Sequence, residues 1–80
     1  MARLVFLGRL EEVAGAVELK FPLTGLTPLD NVLQMLPSRL AEALGGPKVR
    51  IAVNGSIVEK ERLLVADGDE VSFLPSVSGG

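Results

Sequence analysis

Cysteine, histidine, tyrosine and tryptophan are all missing from this 80-residue chain. Without cysteine there is no disulfide, no thiol nucleophile and no thiolate metal site. Without histidine, the usual near-neutral general base and the commonest transition-metal ligand are gone. Carboxylates and lysines remain, but no self-sufficient active site is expected, and the domain reads as acted upon instead of acting. Aromatic residues make up only 4%, all of them Phe. Side-chain amides are few (Asn31, Gln34, Asn54), as in some thermostable proteins. Nor does any run approach the roughly 18 apolar residues that span a bilayer. The N-terminus carries one early charge, Arg3, and its apolar run is broken by Gly8, Arg9, Glu11 and Glu12. It is therefore read as neither a signal peptide nor a membrane segment, and a soluble, cytoplasmic chain is expected. Basic residues (Arg3, Arg9, Lys20, Arg39, Lys48, Arg50, Lys60, Arg62) are scattered through a chain of net charge −2. That spread argues against nucleic-acid binding.

What is present is a core. Hydrophobic residues form 48% of the chain, mostly Leu and Val, enough for one small domain and no second. Arg3-Leu4-Val5-Phe6-Leu7 reads as a central strand, apolar almost throughout. Residues Glu11 to Gly15 read as a connection. Ala16 to Phe21 alternates, with Val17, Leu19 and Phe21 on one face and Glu18 and Lys20 on the other, a half-buried strand forming a hairpin with the first. Thr27 is expected to cap a helix, with Pro28 at its first position and Asp30 completing a capping box. Leu29, Val32, Leu33 and Leu36 make its apolar stripe. Pro37 ends or kinks it, and Ser38 to Leu44 continues as a second short helix with Leu40 and Leu44 inward, stopped by Gly45-Gly46-Pro47.

Val49 to Val53 reads as a third strand, and Asn54-Gly55 is the strongest short hairpin signal, returning through Ser56 to Glu59. Lys60 to Val65 looks irregular, and Ala66 to Asp69 a tight turn. Glu70 to Leu74 is the last strand, with Val71 and Phe73 inward and Pro75 ending its pairing. This order suggests an α+β domain, a ubiquitin-like β-grasp: a mixed sheet of about five strands with the helices packed on one face. The domain spans residues 1–75, and an extended, flexible tail spans 76–80.

The tail is the most informative segment. It closes on Gly79-Gly80 directly after the strand. A glycine carboxylate on an extended tail threads a narrow cleft, because no Cβ crowds the terminal carbonyl. From Ser76 to Gly80 such a tail reaches about 17 Å.

The runs Ala52-Val53-Asn54-Gly55-Ser56-Ile57-Val58, Ala66-Asp67-Gly68-Asp69-Glu70-Val71 and Phe73-Leu74-Pro75-Ser76-Val77-Ser78-Gly79-Gly80 resemble the small subunit of molybdopterin synthase, a family of ubiquitin-like sulfur carriers. Arg3-Leu4-Val5-Phe6-Leu7-Gly8 and Leu10-Glu11-Glu12-Val13-Ala14-Gly15 fit its N-terminal pattern. The similarity covers essentially the whole chain, with the helical middle matching only in pattern. Ser76 stands where a second proline is common, and Gly55 makes a tighter turn than some members have.

This resemblance implies that an ATP-dependent enzyme, using Mg, adenylates the Gly80 carboxylate. A sulfur donor then displaces AMP to leave a thiocarboxylate. The tail (Val77, Ser78, Gly79) enters the large subunit of the synthase, and sulfur passes to a cyclic pyranopterin precursor in molybdenum cofactor biosynthesis. A heterotetramer with two large subunits is expected, and the carrier is part of an enzyme with no catalytic side chain and no bound cofactor or metal of its own. The chemistry is consistent: an acyl-adenylate has the leaving group a carboxylate lacks, and oxyanion donors or metal ligands would come from the partners. A terminal thiocarboxylate also explains a sulfur-handling chain without cysteine.

Other features read structurally. Asp67-Gly68-Asp69 suits a turn better than a calcium loop, lacking a third carboxylate at that spacing. Gly45-Gly46 follows a helix instead of opening one, so it is a helix stop and not a phosphate cradle. Glu11-Glu12 is a solvated bend. Strand alternation places Leu7, Ile57 and Leu74 on the sheet's outer face beside the tail, a candidate docking surface with Pro75. Three other functions remain open: a thiamine-pathway sulfur carrier, a protein modifier joined to lysines through Gly80, and a non-covalent binding module.

Overall fold

The computed structural model describes residues 1–60 and 63–75. Among the described residues, seven strands and three helices follow one another. They are β1 (Ala2–Phe6), α1 (Arg9–Ala14), β2 (Glu18–Phe21), β3 (Thr27–Pro28), α2 (Leu29–Gln34), α3 (Ser38–Leu44), β4 (Arg50–Val53), β5 (Ser56–Val58), β6 (Leu64–Val65) and β7 (Glu70–Leu74). Five of the strands make a mixed sheet in the order β2-β1-β7-β4-β5, and β3 pairs with β6 in a separate two-stranded ribbon. The central pair β1–β7 is parallel, with Leu4 beside Val71 and Phe6 beside Phe73. The remaining neighbours in the large sheet are antiparallel.

Period-two alternation decides which face is covered. Ala2, Leu4, Phe6, Ile51, Val71 and Phe73 are buried on one side, in a single cluster with Leu10 of α1, Leu29, Val32 and Leu33 of α2, and Leu40 and Leu44 of α3. The rings of Phe6 and Phe73 stack with centroids 5.8 Å apart. No polar or charged residue among those described is buried. This is the ubiquitin-like β-grasp expected from the sequence, with its helices on one face of the mixed sheet. Among the described residues no helix is long and apolar enough to cross a membrane.

Several local expectations are corrected. Residues 9–14 form a helix and not a plain connection. Leu10 is buried and Gly15 takes a left-handed φ of 76° to close the helix, its N–H donating to the Glu11 carbonyl. Val17 does not join the inner face; it precedes β2 in a bend, 57% exposed. Thr27 does not cap α2. Its backbone is committed to the ribbon opposite Val65, and its hydroxyl donates to the Gly25 carbonyl at 3.0 Å. Pro28 is the N-cap, and no side chain caps the helix. Within the stretch read as irregular, Leu64–Val65 is a strand, because residues 27–28 supply a partner far away in sequence.

Candidate functional site

Because β1 and β7 run parallel in the middle of the sheet, both end at the same edge. The Leu7 N–H continues the ladder, donating to the Phe73 carbonyl at 3.1 Å. One residue later the chain turns at Gly8, with φ 56° and ψ −135°. Such a backbone suits glycine, since a side chain there meets the preceding carbonyl. Pro75 lies against that turn: a Cβ on Gly8 would sit 2.9 Å from Pro75 Cγ. Lacking an N–H, Pro75 cannot extend the ladder, so the root of the tail is set by the β7 end and by ring-on-backbone packing against Gly8. Val77, Ser78, Gly79 and Gly80 lie outside the described residues.

The uncovered face of the sheet begins at this root. Leu7 is 41% and Ile57 is 56% exposed, while Leu74 and Pro75 are half-buried. The parallel register runs to Phe6 beside Phe73, and Leu7 and Leu74 are the next residues of the two chains, Leu7 just past the end of β1 and Leu74 the last residue of β7. Ile57 stands on β5, two strands beyond β7 and about 10 Å across at ordinary strand spacing. Ala52 lies between, paired with both Ile57 and Ser72. Val5 is opposite Ser72 on the other side. The result is a band of small and apolar side chains, Val5-Ser72-Ala52-Ile57, meeting the Leu7–Leu74 pair at the tail root.

Charges frame this band. Away from the tail, Arg3 reaches both neighbouring strands, 3.4 Å from Glu18 and 2.5 Å from Glu70. At the tail end, Arg50 is opposite Leu74 and exposed.

Sequence reasoning missed Gly8 as the residue that seats Pro75, and it missed Val5, Ala52 and Ser72 as the floor of the band. Their alternation with Leu4, Ile51 and Phe73 was a usable signal for the floor; the Gly8 contact was not readable locally. On the helix side, Leu29, Asp30, Leu33, Gly45, Pro47 and Lys60 line a cavity of about 430 Å³. Its ammonium, Lys60 Nζ, already donates to the Gly46 carbonyl. Asp67-Gly68-Asp69 is used as a turn. Gly68 has φ 91°, Asp69 Oδ2 accepts from the Ala66 N–H at 2.8 Å, and Asp67 pairs with the N-terminal ammonium. Among the described residues no group of three or more carboxylates is arranged to hold a metal ion.

Comparison with known proteins gives a consistent picture. The ThiS family profile matches residues 4–80. Subunit 1 and 2 of the molybdopterin-converting factor from Helicobacter pylori have been solved as a protein–protein complex, and a chain of it is 28% identical with TM-score 0.66, covering 99% of this chain and 97% of that one. Small archaeal modifier protein 1 from Methanosarcina acetivorans is 26% identical with TM-score 0.70, covering 99% and 95%. The protein of the same name from Haloferax volcanii, at 24% identity, TM-score 0.75 and coverage of 99% and 98%, shares the fold. A search of curated proteins finds no match. Matched over nearly its whole length, the chain belongs to the ThiS family, a β-grasp domain of the kind used by ubiquitin-like sulfur carriers and modifiers.

Proposed function

We propose that this chain is the sulfur-carrying small subunit of a molybdopterin synthase, with residues 1–75 as the docking domain and 76–80 as the reactive tail. One observation carries the reading. The parallel β1–β7 pair sets the root of a Gly-Gly-ending tail beside the exposed Leu7 and the half-buried Leu74, while the chain supplies no cysteine or histidine. The likeness to the Helicobacter pylori subunit, known in complex with its second subunit, supports a large-subunit partner. In this reading a cytoplasmic ATP- and Mg-dependent enzyme adenylates the Gly80 carboxylate, releasing pyrophosphate. A sulfur donor displaces AMP to give the thiocarboxylate, which donates sulfur to a cyclic pyranopterin precursor. The carrier contributes reach and docking, and its partners contribute the acid, base and metal.

Intact mass after incubation with the host's activating enzyme, Mg-ATP and a sulfide source tests this. One oxygen replaced by sulfur, lost on deleting Gly80, is the expected result. An unchanged mass, with an activating enzyme competent on another carrier, would overturn it. The likeness to small archaeal modifier protein 1 favours a second reading, a protein modifier conjugated through Gly80. That reading predicts slow-migrating conjugates in cell extract that persist under reducing, denaturing conditions.

A further inference from the structure

Asn54-Gly55 combines two features. Its backbone makes the β4–β5 hairpin, with Asn54 at φ 51° and Gly55 at φ 90°. Its chemistry is that of the asparagine most prone to lose its amide, because glycine leaves the next backbone nitrogen unhindered. In that reaction the Gly55 nitrogen loses its proton and attacks Asn54 Cγ, ammonia leaves, and a five-membered imide forms. Water then opens the imide to aspartate or isoaspartate.

The structure holds Asn54 away from this path. The Asn54 N–H donates to the Glu70 carbonyl at 2.8 Å. The Glu70 N–H donates back to Asn54 Oδ1 at 2.9 Å, and Asn54 Nδ2 donates to Asp69 Oδ1 at 3.0 Å. The amide orientation is unambiguous, since a backbone N–H only donates and a carboxylate accepts. Asp69 is itself anchored, its other oxygen accepting from the Ala66 N–H. For Cγ to swing onto the Gly55 nitrogen, both side-chain bonds must break.

We propose that Asn54 is a latent deamidation site, shut by the Asp69–Asn54–Glu70 clamp and opened only when the corner joining the β4–β5 hairpin to β7 comes apart. The change would be permanent. An aspartate at 54 would set a carboxylate oxygen in place of the donating amide, facing Asp69 Oδ1 where the pair now meets at 3.0 Å. The clamp could not re-form, and one opening event would leave a lasting negative charge beside the last strand.

The test is peptide mapping of the full chain by mass spectrometry, following amide-to-acid conversion and isoaspartate at residue 54. The protein is aged in mildly alkaline native buffer and in concentrated urea. Native Asn54 should convert at least about tenfold more slowly than in urea, the scale set by breaking two hydrogen bonds. Asp69→Ala, folded by circular dichroism, should convert several-fold faster than the parent in native buffer. Equal rates in native buffer and urea would overturn the proposal, as would a folded Asp69→Ala with an unchanged rate. If Asp69→Ala does not fold, the native-to-urea ratio of the parent decides alone.

Discussion

Replacing Gly8 by alanine tests how the tail root is built. Gly8 sits at φ 56° and ψ −135°, near a region that only glycine visits freely, and holding another residue there costs about 1–3 kcal/mol. The new methyl would also meet Pro75 Cγ at 2.9 Å, so the ring and the strand end must shift. Gly15→Ala separates the two effects. Gly15 has φ 76°, and a methyl added there would have nothing within 4 Å, so the change should cost about 1–2 kcal/mol from backbone handedness alone. The assay is urea or thermal unfolding of Gly8→Ala, Pro75→Ala and the double variant. In a domain of this size each kcal/mol lowers Tm by about 4–8 °C. Gly8→Ala should lose at least as much stability as Gly15→Ala, and the double variant should recover at least about 0.5 kcal/mol relative to the sum of the single changes, since the residues touch. A Gly8→Ala within about 0.5 kcal/mol of the parent, the range of an ordinary surface change, would refute the strain argument. Additive single changes would refute the Gly8–Pro75 contact.

Other outcomes follow from the same geometry. Phe73→Ala removes a fully buried ring stacked on Phe6 and should cost about 3–5 kcal/mol, read as a lower urea midpoint or failure to fold. Arg3→Ala removes two ion pairs whose arginine is half exposed, so its cost should stay at or below about 1 kcal/mol and shrink in high salt. Leu7→Asp and Ile57→Asp alter exposed positions on the uncovered face. They should leave Tm nearly unchanged yet weaken binding to the proposed large-subunit partner by about tenfold or more by calorimetry, and unchanged affinity for both would remove that face from the docking surface.

Much of the sheet was legible because its signals are local. Leu4 and Phe6, Val71 and Phe73, and the stripe of Leu29, Val32 and Leu33 advertise their faces by simple period, and each is buried as that period requires. Asn54-Gly55 makes its hairpin because its preferred dihedrals are those the turn needs. Helix α1 escaped notice because Leu10 is its one buried residue, against three in the equally short α2, so it shows no apolar stripe; what holds it is Leu10 in the core and Gly15 at its end. The capping box at Thr27 looked sound locally, but Val65 claimed its backbone.

By itself the sequence determined the class of the fold, most of the inward faces of its strands and helices, and the lack of any thiol or imidazole side chain. Only the tertiary structure decided which strands became neighbours. That choice set Gly8 under Pro75 at the tail root, tied Asn54 to Asp69 and Glu70, and gave Thr27 and Pro28 their strand partners. The physical reason is range: periodicity and dihedral preference act over a few residues, whereas these contacts join residues at least 15 positions apart and exist only once the shared core has drawn them together.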